Sequence, residues 1–133
     1  MDEAAYRREL ARLEAERGTL GAWELAGRTL ALERSRAARL AETDDARAVE
    51  HYLAAEDAQR TLGTFATGSG EGLASMAALY AIMADRARLH ERLGRTDAAQ
   101  AALAVETWQT IVDDPNGQGL PHQRDLERAR GLG

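Results

Sequence analysis

Leu73-Ala74-Ser75-Met76-Ala77-Ala78-Leu79-Tyr80-Ala81-Ile82-Met83-Ala84 decides the fold of this chain, because Ser75 is its only polar side chain. An element with no polar face needs neighbours on several sides. The stretch therefore predicts the central helix of an α-helical stack, running over about 71–93. Its second half turns charged, with Asp85, Arg86, Arg88, Glu91 and Arg92. That half is expected to emerge from the core.

Helical periodicity extends outward from this centre in both directions. Upstream, residues 44–62 repeat apolar side chains at Val49, Tyr52, Leu53, Ala55 and Leu62. Before them, residues 22–41 place Trp23, Ala26, Leu30, Ala37 and Leu40 at the spacing of one helix face. Thr43 is expected to cap the helix that follows it, with Asp44 and Asp45 at the positive end of its dipole. Gly63 to Gly70 reads as the most flexible connector, and Ser69 as the cap of the central helix. Downstream, Gly94-Arg95-Thr96-Asp97 predicts a short turn with Thr96 as cap. A helix over 97–112 follows, with Ala98, Ala102, Leu103, Val105, Trp108 and Ile111 inward. Asp113-Asp114-Pro115-Asn116-Gly117 stops it, and Pro121 starts a short polar helix to about Arg130, frayed or held by a partner. The first helix, about 2–17, carries a thin stripe of Tyr6, Leu10 and Leu13. Such a stripe suits an arm docked on a second copy in a homodimer, or one packed back on its own bundle.

Composition agrees with this reading. The 133 residues include 28 Ala, 17 Leu and 17 Arg, with no Lys or Cys and five Val plus Ile. Strands favour the β-branched and aromatic residues that are scarce here, so a sheet-rich fold is excluded. A disulfide scaffold, a thiolate metal site and a thiol nucleophile are excluded with it. The fold class is all-α, in one domain: an N-terminal helix (1–17), a first hairpin (22–62), a second hairpin (71–112) and a C-terminal tail (113–133). The net charge of -5 makes a poor nucleic-acid binder, and no apolar run reaches the ~18 residues needed to span a bilayer. With an acidic start, Met1-Asp2-Glu3, the expected location is the cytoplasm. Arg as the sole Lys/Arg-type cation, with abundant Ala and Gly, suggests a GC-rich bacterial genome.

The chain also carries an internal echo. Arg39-Leu40-Ala41-Glu42-Thr43-Asp44-Asp45-Ala46-Arg47-Ala48 aligns without gaps to Arg92-Leu93-Gly94-Arg95-Thr96-Asp97-Ala98-Ala99-Gln100-Ala101, matching at six of ten positions. The second copy resembles a tetratricopeptide repeat over residues 83–116, through Ala87 in mid-helix, Leu93-Gly94 at its end, Ala99 and Leu103 on the next helix, and Asp114-Pro115-Asn116 at the close. It departs from that pattern at Arg86 and Glu106, and the 53-residue offset exceeds the family's repeat of about 34. The resemblance implies a non-enzymatic protein or peptide interaction module with a groove lined by Ala81, Ala84, Arg88, Glu91 and Arg92. Two Ala would leave space and two Arg would grip a carboxylate; otherwise Arg88 and Arg92 form a solvated face with Glu91.

Other chemistry finds little support. His51, His90 and His122 lie on three segments, none at the spacing that puts two metal ligands on one helix face. A metal-dependent hydrolase using His51, His90 and nearby acids is the alternative reading, and a structural assembly subunit is the third. Glu42, Asp45, Asp113 and Asp114 read as turn and cap residues. Gly68-Ser69-Gly70-Glu71-Gly72 lacks the preceding strand and the Lys of a phosphate loop, and Glu24 and Glu33 dilute Arg28, Arg36 and Arg39. No catalytic residue, metal or cofactor is expected.

Overall fold

The computed structural model describes residues 2–132. Six α-helices follow one another: α1 (Glu3–Glu16), α2 (Ala22–Leu40), α3 (Asp45–Gly63), α4 (Gly68–Leu93), α5 (Ala98–Val112) and α6 (Gln123–Arg130). One 3-10 turn, Leu120–His122, precedes α6, and no strand occurs among the described residues. The fold is all-α, as the composition predicts.

Aspartates start three of the helices. The carboxylates of Asp2, Asp44 and Asp97 accept from the backbone N–H of Ala5 at 2.8 Å, Arg47 at 3.2 Å and Ala99 at 3.0 Å. A cap of this kind contributes about 1 kcal/mol. Thr43 and Thr96, expected in that role, sit one residue too early. Their own N–H groups close the preceding turns onto Leu40 O and Leu93 O. The cap of α4 also differs from expectation: Thr67 precedes the helix, Ser69 lies in its first turn, and Gly68 adopts φ +78°.

Each helix packs against the next in sequence, which produces a stack of antiparallel hairpins. Two cores share α4. On one side Ile82 and Leu89 meet Ala37 and Leu40 of α2 and Tyr52 and Ala55 of α3. On the other, Tyr80, Met83 and Ala87 meet Trp108 and Ile111 of α5 and Leu126 of α6. Ala lines the helix crossings, so the backbones approach closely. Gly94 marks one close approach between α4 and α5, since a Cβ there would lie 2.8 Å from the backbone of Ala101.

α4 is central, but its burial is shifted along the helix relative to expectation. The apolar start, residues 68–78, is largely exposed, and burial runs from Leu79 to His90, taking in Ala87, Leu89 and His90 of the charged half. Arg86 is accommodated inside because it pairs with Glu56, while Arg88 and Arg92 face outward. The start protrudes because α5, with 15 residues, is shorter than α4, with 26. At 1.5 Å per residue the overhang is about 16 Å.

Other expectations are corrected too. The α1 stripe packs on its own bundle, with Tyr6 and Leu13 buried against Leu32 of α2 while Leu10 stays exposed. Trp23, Leu53, Ala98, Ala102 and Leu103 face solvent, because the inward faces are set by Ala26 and Ala37 on α2, Tyr52 and Ala55 on α3, and Ala101 and Ala104 on α5. The C-terminal helix is docked by its own chain: Leu126 and Ala129 are buried in the α4–α5 core, and Arg128 donates to Glu91 at 2.7 and 3.0 Å.

Candidate functional site

The five groove positions suggested by the repeat resemblance lie on α4, but they do not line an open channel. Ala81 is exposed and Ala84 is buried in the core that α5 and α6 complete. Glu91 accepts from Trp108 Nε1 at 3.0 Å and from Arg128. Arg88 pairs with Asp85 at 3.2 Å and lies 5.5 Å over the Trp108 ring. Arg92 turns the other way, donating to Asp45 at 2.8 Å and to the carbonyl of Ala41 at 3.0 Å. The physical reason is that α6 occupies the space beside Glu91. Two bidentate-capable Arg are present, and each already has a carboxylate from the same chain.

The three histidines fall into three separate networks. His51 Nδ1 lies 2.6 Å from Glu33, whose other oxygen accepts the Tyr6 hydroxyl at 2.7 Å. Burial and that bond to Glu33 push the Tyr6 phenol above its ordinary range. His90 sits between Arg86, which donates to its Nε2 at 3.2 Å, and Gln100, whose Oε1 lies 2.7 Å from Nδ1. An Nε2 that accepts fixes the neutral tautomer with its proton on Nδ1. Burial holds the His90 pKa below its usual value, against the opposing pull of the Gln100 bond. His122 stacks on Trp108 at 5.2 Å and bonds Asp125 at 2.9 Å. Among the described residues no group of three His, Asp or Glu is placed to hold a metal ion.

Two polar clusters were invisible in the sequence. Glu56 is fully buried on α3 and receives Arg86 of α4 through two bonds, at 2.5 and 3.0 Å; Arg86 also donates to Thr107 of α5 at 3.2 Å. The partners are 30 positions apart, beyond any periodic signal. Tyr80 donates to Asp114 at 2.7 Å, and the second oxygen of Asp114 accepts the backbone N–H groups of Asn116 and Gln118. Burial and the Asp114 bond push the Tyr80 phenol up to about 12, and the Tyr80 bond leads the effects that hold the Asp114 carboxyl below its usual value. All these groups are saturated by one another. Their arrangement fixes helices; it does not present a reactive atom.

The surface that remains unsatisfied is apolar. Residues 61–84 contain a single charged side chain, Glu71, in a chain that is 29% charged. Half of that stretch lies on the surface, at the end of the bundle where α2 begins, α3 ends and α4 overhangs α5. Trp23 is 61% exposed, Phe65 46%, Leu73 38% and Met76 37%. Trp23, Phe65 and Ala74 line one depression there, and Gly72, Leu73 and Met76 line a neighbouring one with Ser69. Gly72, in the first turns of α4, is the glycine that lines the second of these hollows. No helix here is long and apolar enough to cross a membrane among the described residues.

No family model matches this chain, and no curated protein or solved structure does so either.

Proposed function

We propose that this chain is a non-enzymatic helical interaction module that engages a protein through the apolar end of its bundle. The observation that carries the reading is the uncovered start of α4, where Leu73 and Met76 stand in water at the end of the bundle that also exposes Trp23 and Phe65. Contiguous apolar surface of this kind marks sites of association, whereas scattered single residues do not. The hairpin-on-hairpin stacking supports the tetratricopeptide-like part of the reading. It moves the docking surface away from Arg88, Glu91 and Arg92, which are engaged internally. The hydrolase alternative gains no support, because His51 and His90 are held in different networks by Glu33 and Gln100.

The test is site-specific photo-crosslinking in the native host. A benzophenone side chain at Met76 is expected to capture a discrete protein species, and the same probe at Thr110, on the outer face of α5, is not. Equal, nonspecific capture at both positions would remove the proposal.

A further inference from the structure

α1 is fastened to the bundle by charge more than by apolar contact. Its buried side chains are Tyr6 and Leu13, which meet Leu32 of α2 in a small cluster separate from the two cores that share α4. Such a cluster removes little apolar surface from water. α6 also buries two side chains, Leu126 and Ala129, but these enter the main core beside Trp108.

The rest of the α1 attachment is a clasp of charged groups. Glu3 pairs with Arg36 of α2 and, at 3.4 Å, with Arg47 of α3. The Tyr6 hydroxyl donates to Glu33 of α2 at 2.7 Å, and Glu16 accepts from Arg28 of α2 at 2.9 Å. His51 of α3 closes the clasp, with Nδ1 2.6 Å from the other oxygen of Glu33 and its ring perpendicular to that of Tyr6. Opening this clasp leaves no charge stranded. Glu33 keeps His51, while Arg36 and Arg47 turn to water.

A hinge is present as well. Gly18 and Gly21 flank the link to α2, and a Cβ at either would meet open space. Leu20, between them, leans on the same small cluster as Tyr6 and so moves with α1. Once detached, a helix of 14 residues is too short to persist in water, so release and unravelling are one event.

We infer that α1 is a strap that opens as a unit about Gly18 and Gly21 while α2 to α6 stay folded, and that ionic strength sets how often it opens. Opening uncovers Leu32, Glu33 and Arg36, all buried in the closed form. That face carries charge, unlike the apolar start of α4.

The experiment is native-state amide exchange of the full chain, read by mass spectrometry. Corrected for intrinsic rates, residues 3–16 are expected to exchange on the order of 100-fold faster than residues 79–90. Raising NaCl from about 0.05 to 1 M is expected to quicken 3–16 several-fold and leave 79–90 unchanged, because screening acts on the partly exposed pairs of Glu3 and Glu16. Tyr6→Phe keeps the ring and loses the bond to Glu33; it is expected to quicken 3–16 alone by ~10-fold. If 3–16 and 79–90 exchange at one rate, or Tyr6→Phe quickens both equally, α1 unfolds only with the whole chain and the strap is overturned. If α1 opens alone but ignores salt, the ionic clasp is overturned.

Discussion

Replacing Arg86 by Met strips the buried carboxylate of Glu56 of its two short bonds, at 2.5 and 3.0 Å. Glu56 is fully buried, so water cannot take over. Removing one partner of such a pair costs about 3–5 kcal/mol. The lower figure applies here, because half-exposed Arg60 already lies 3.8 Å from Glu56 and can move closer. A loss of about 3 kcal/mol is a large share of the ~5–15 kcal/mol that holds a domain together. At roughly 3–4 °C per kcal/mol for this length, the midpoint of thermal unfolding falls by about 10 °C. The double variant Glu56→Leu/Arg86→Met removes both charges. It still leaves His90 Nε2 without the Arg86 donor, which costs about 1 kcal/mol. It is therefore expected ~2 kcal/mol above the single variant. Urea unfolding followed by circular dichroism on wild type, both single variants and the double closes the cycle. A double variant no more stable than Arg86→Met would show that the pair is not what makes the single change costly.

Other expectations are equally open to measurement. Gly94→Ala drives a Cβ to within 2.8 Å of the Ala101 backbone and is expected to cost ~1–3 kcal/mol. Gly27→Ala, in mid-α2 with open space around it, is expected to gain ~0.5–1 kcal/mol; calorimetry on the pair should show opposite signs. His90 is neutral in the folded chain because burial holds its pKa below the ordinary 6.5. The unfolded chain takes up that proton first as pH falls, so the contribution is whole above pH 6.5 and is lost below it, down to the folded value. His90→Gln should flatten the stability profile as pH falls below 6.5 relative to wild type. Arg128→Ala removes both bonds to Glu91; amide exchange over α6 should rise while α3 stays protected.

The helices were legible because Ala, Leu and Arg dominate and repeat at helical spacing, and because turns such as 41–44 and 94–97 carry Gly, Thr and Asp. The caps were misplaced by one residue since Thr and Asp cap equally well, and only the turn's hydrogen bonds decide between Thr43 and Asp44. The burial of Ala87, Leu89 and His90 in the second half of α4 was hidden by the charges around them. Hydropathy treats Arg86 as a surface residue, and nothing local reveals that Glu56 waits 30 positions upstream. α6 itself was legible from Pro121 onward, but its docking on the core was hidden for a different reason: two inward residues, Leu126 and Ala129, make no periodic pattern. The candidate surface was half legible. The uncharged stretch beginning at Leu73 stood out at once, but its role depends on how far α5 reaches along it, which is a property of packing.

The helices at the two ends of the array have one more consequence. α1 turns Arg7, Arg8, Arg12 and Glu14 outward, and α6 turns Arg124, Glu127 and Arg130 outward. Polar outer faces of this kind act as stoppers in stacked-helix proteins, which otherwise add unit upon unit. Polar outer faces on α1 and α6 therefore disfavour end-to-end stacking of copies through these two helices. Removing α6 would bare Trp108 and leave a sticky end, the condition under which such a chain lengthens into fibres.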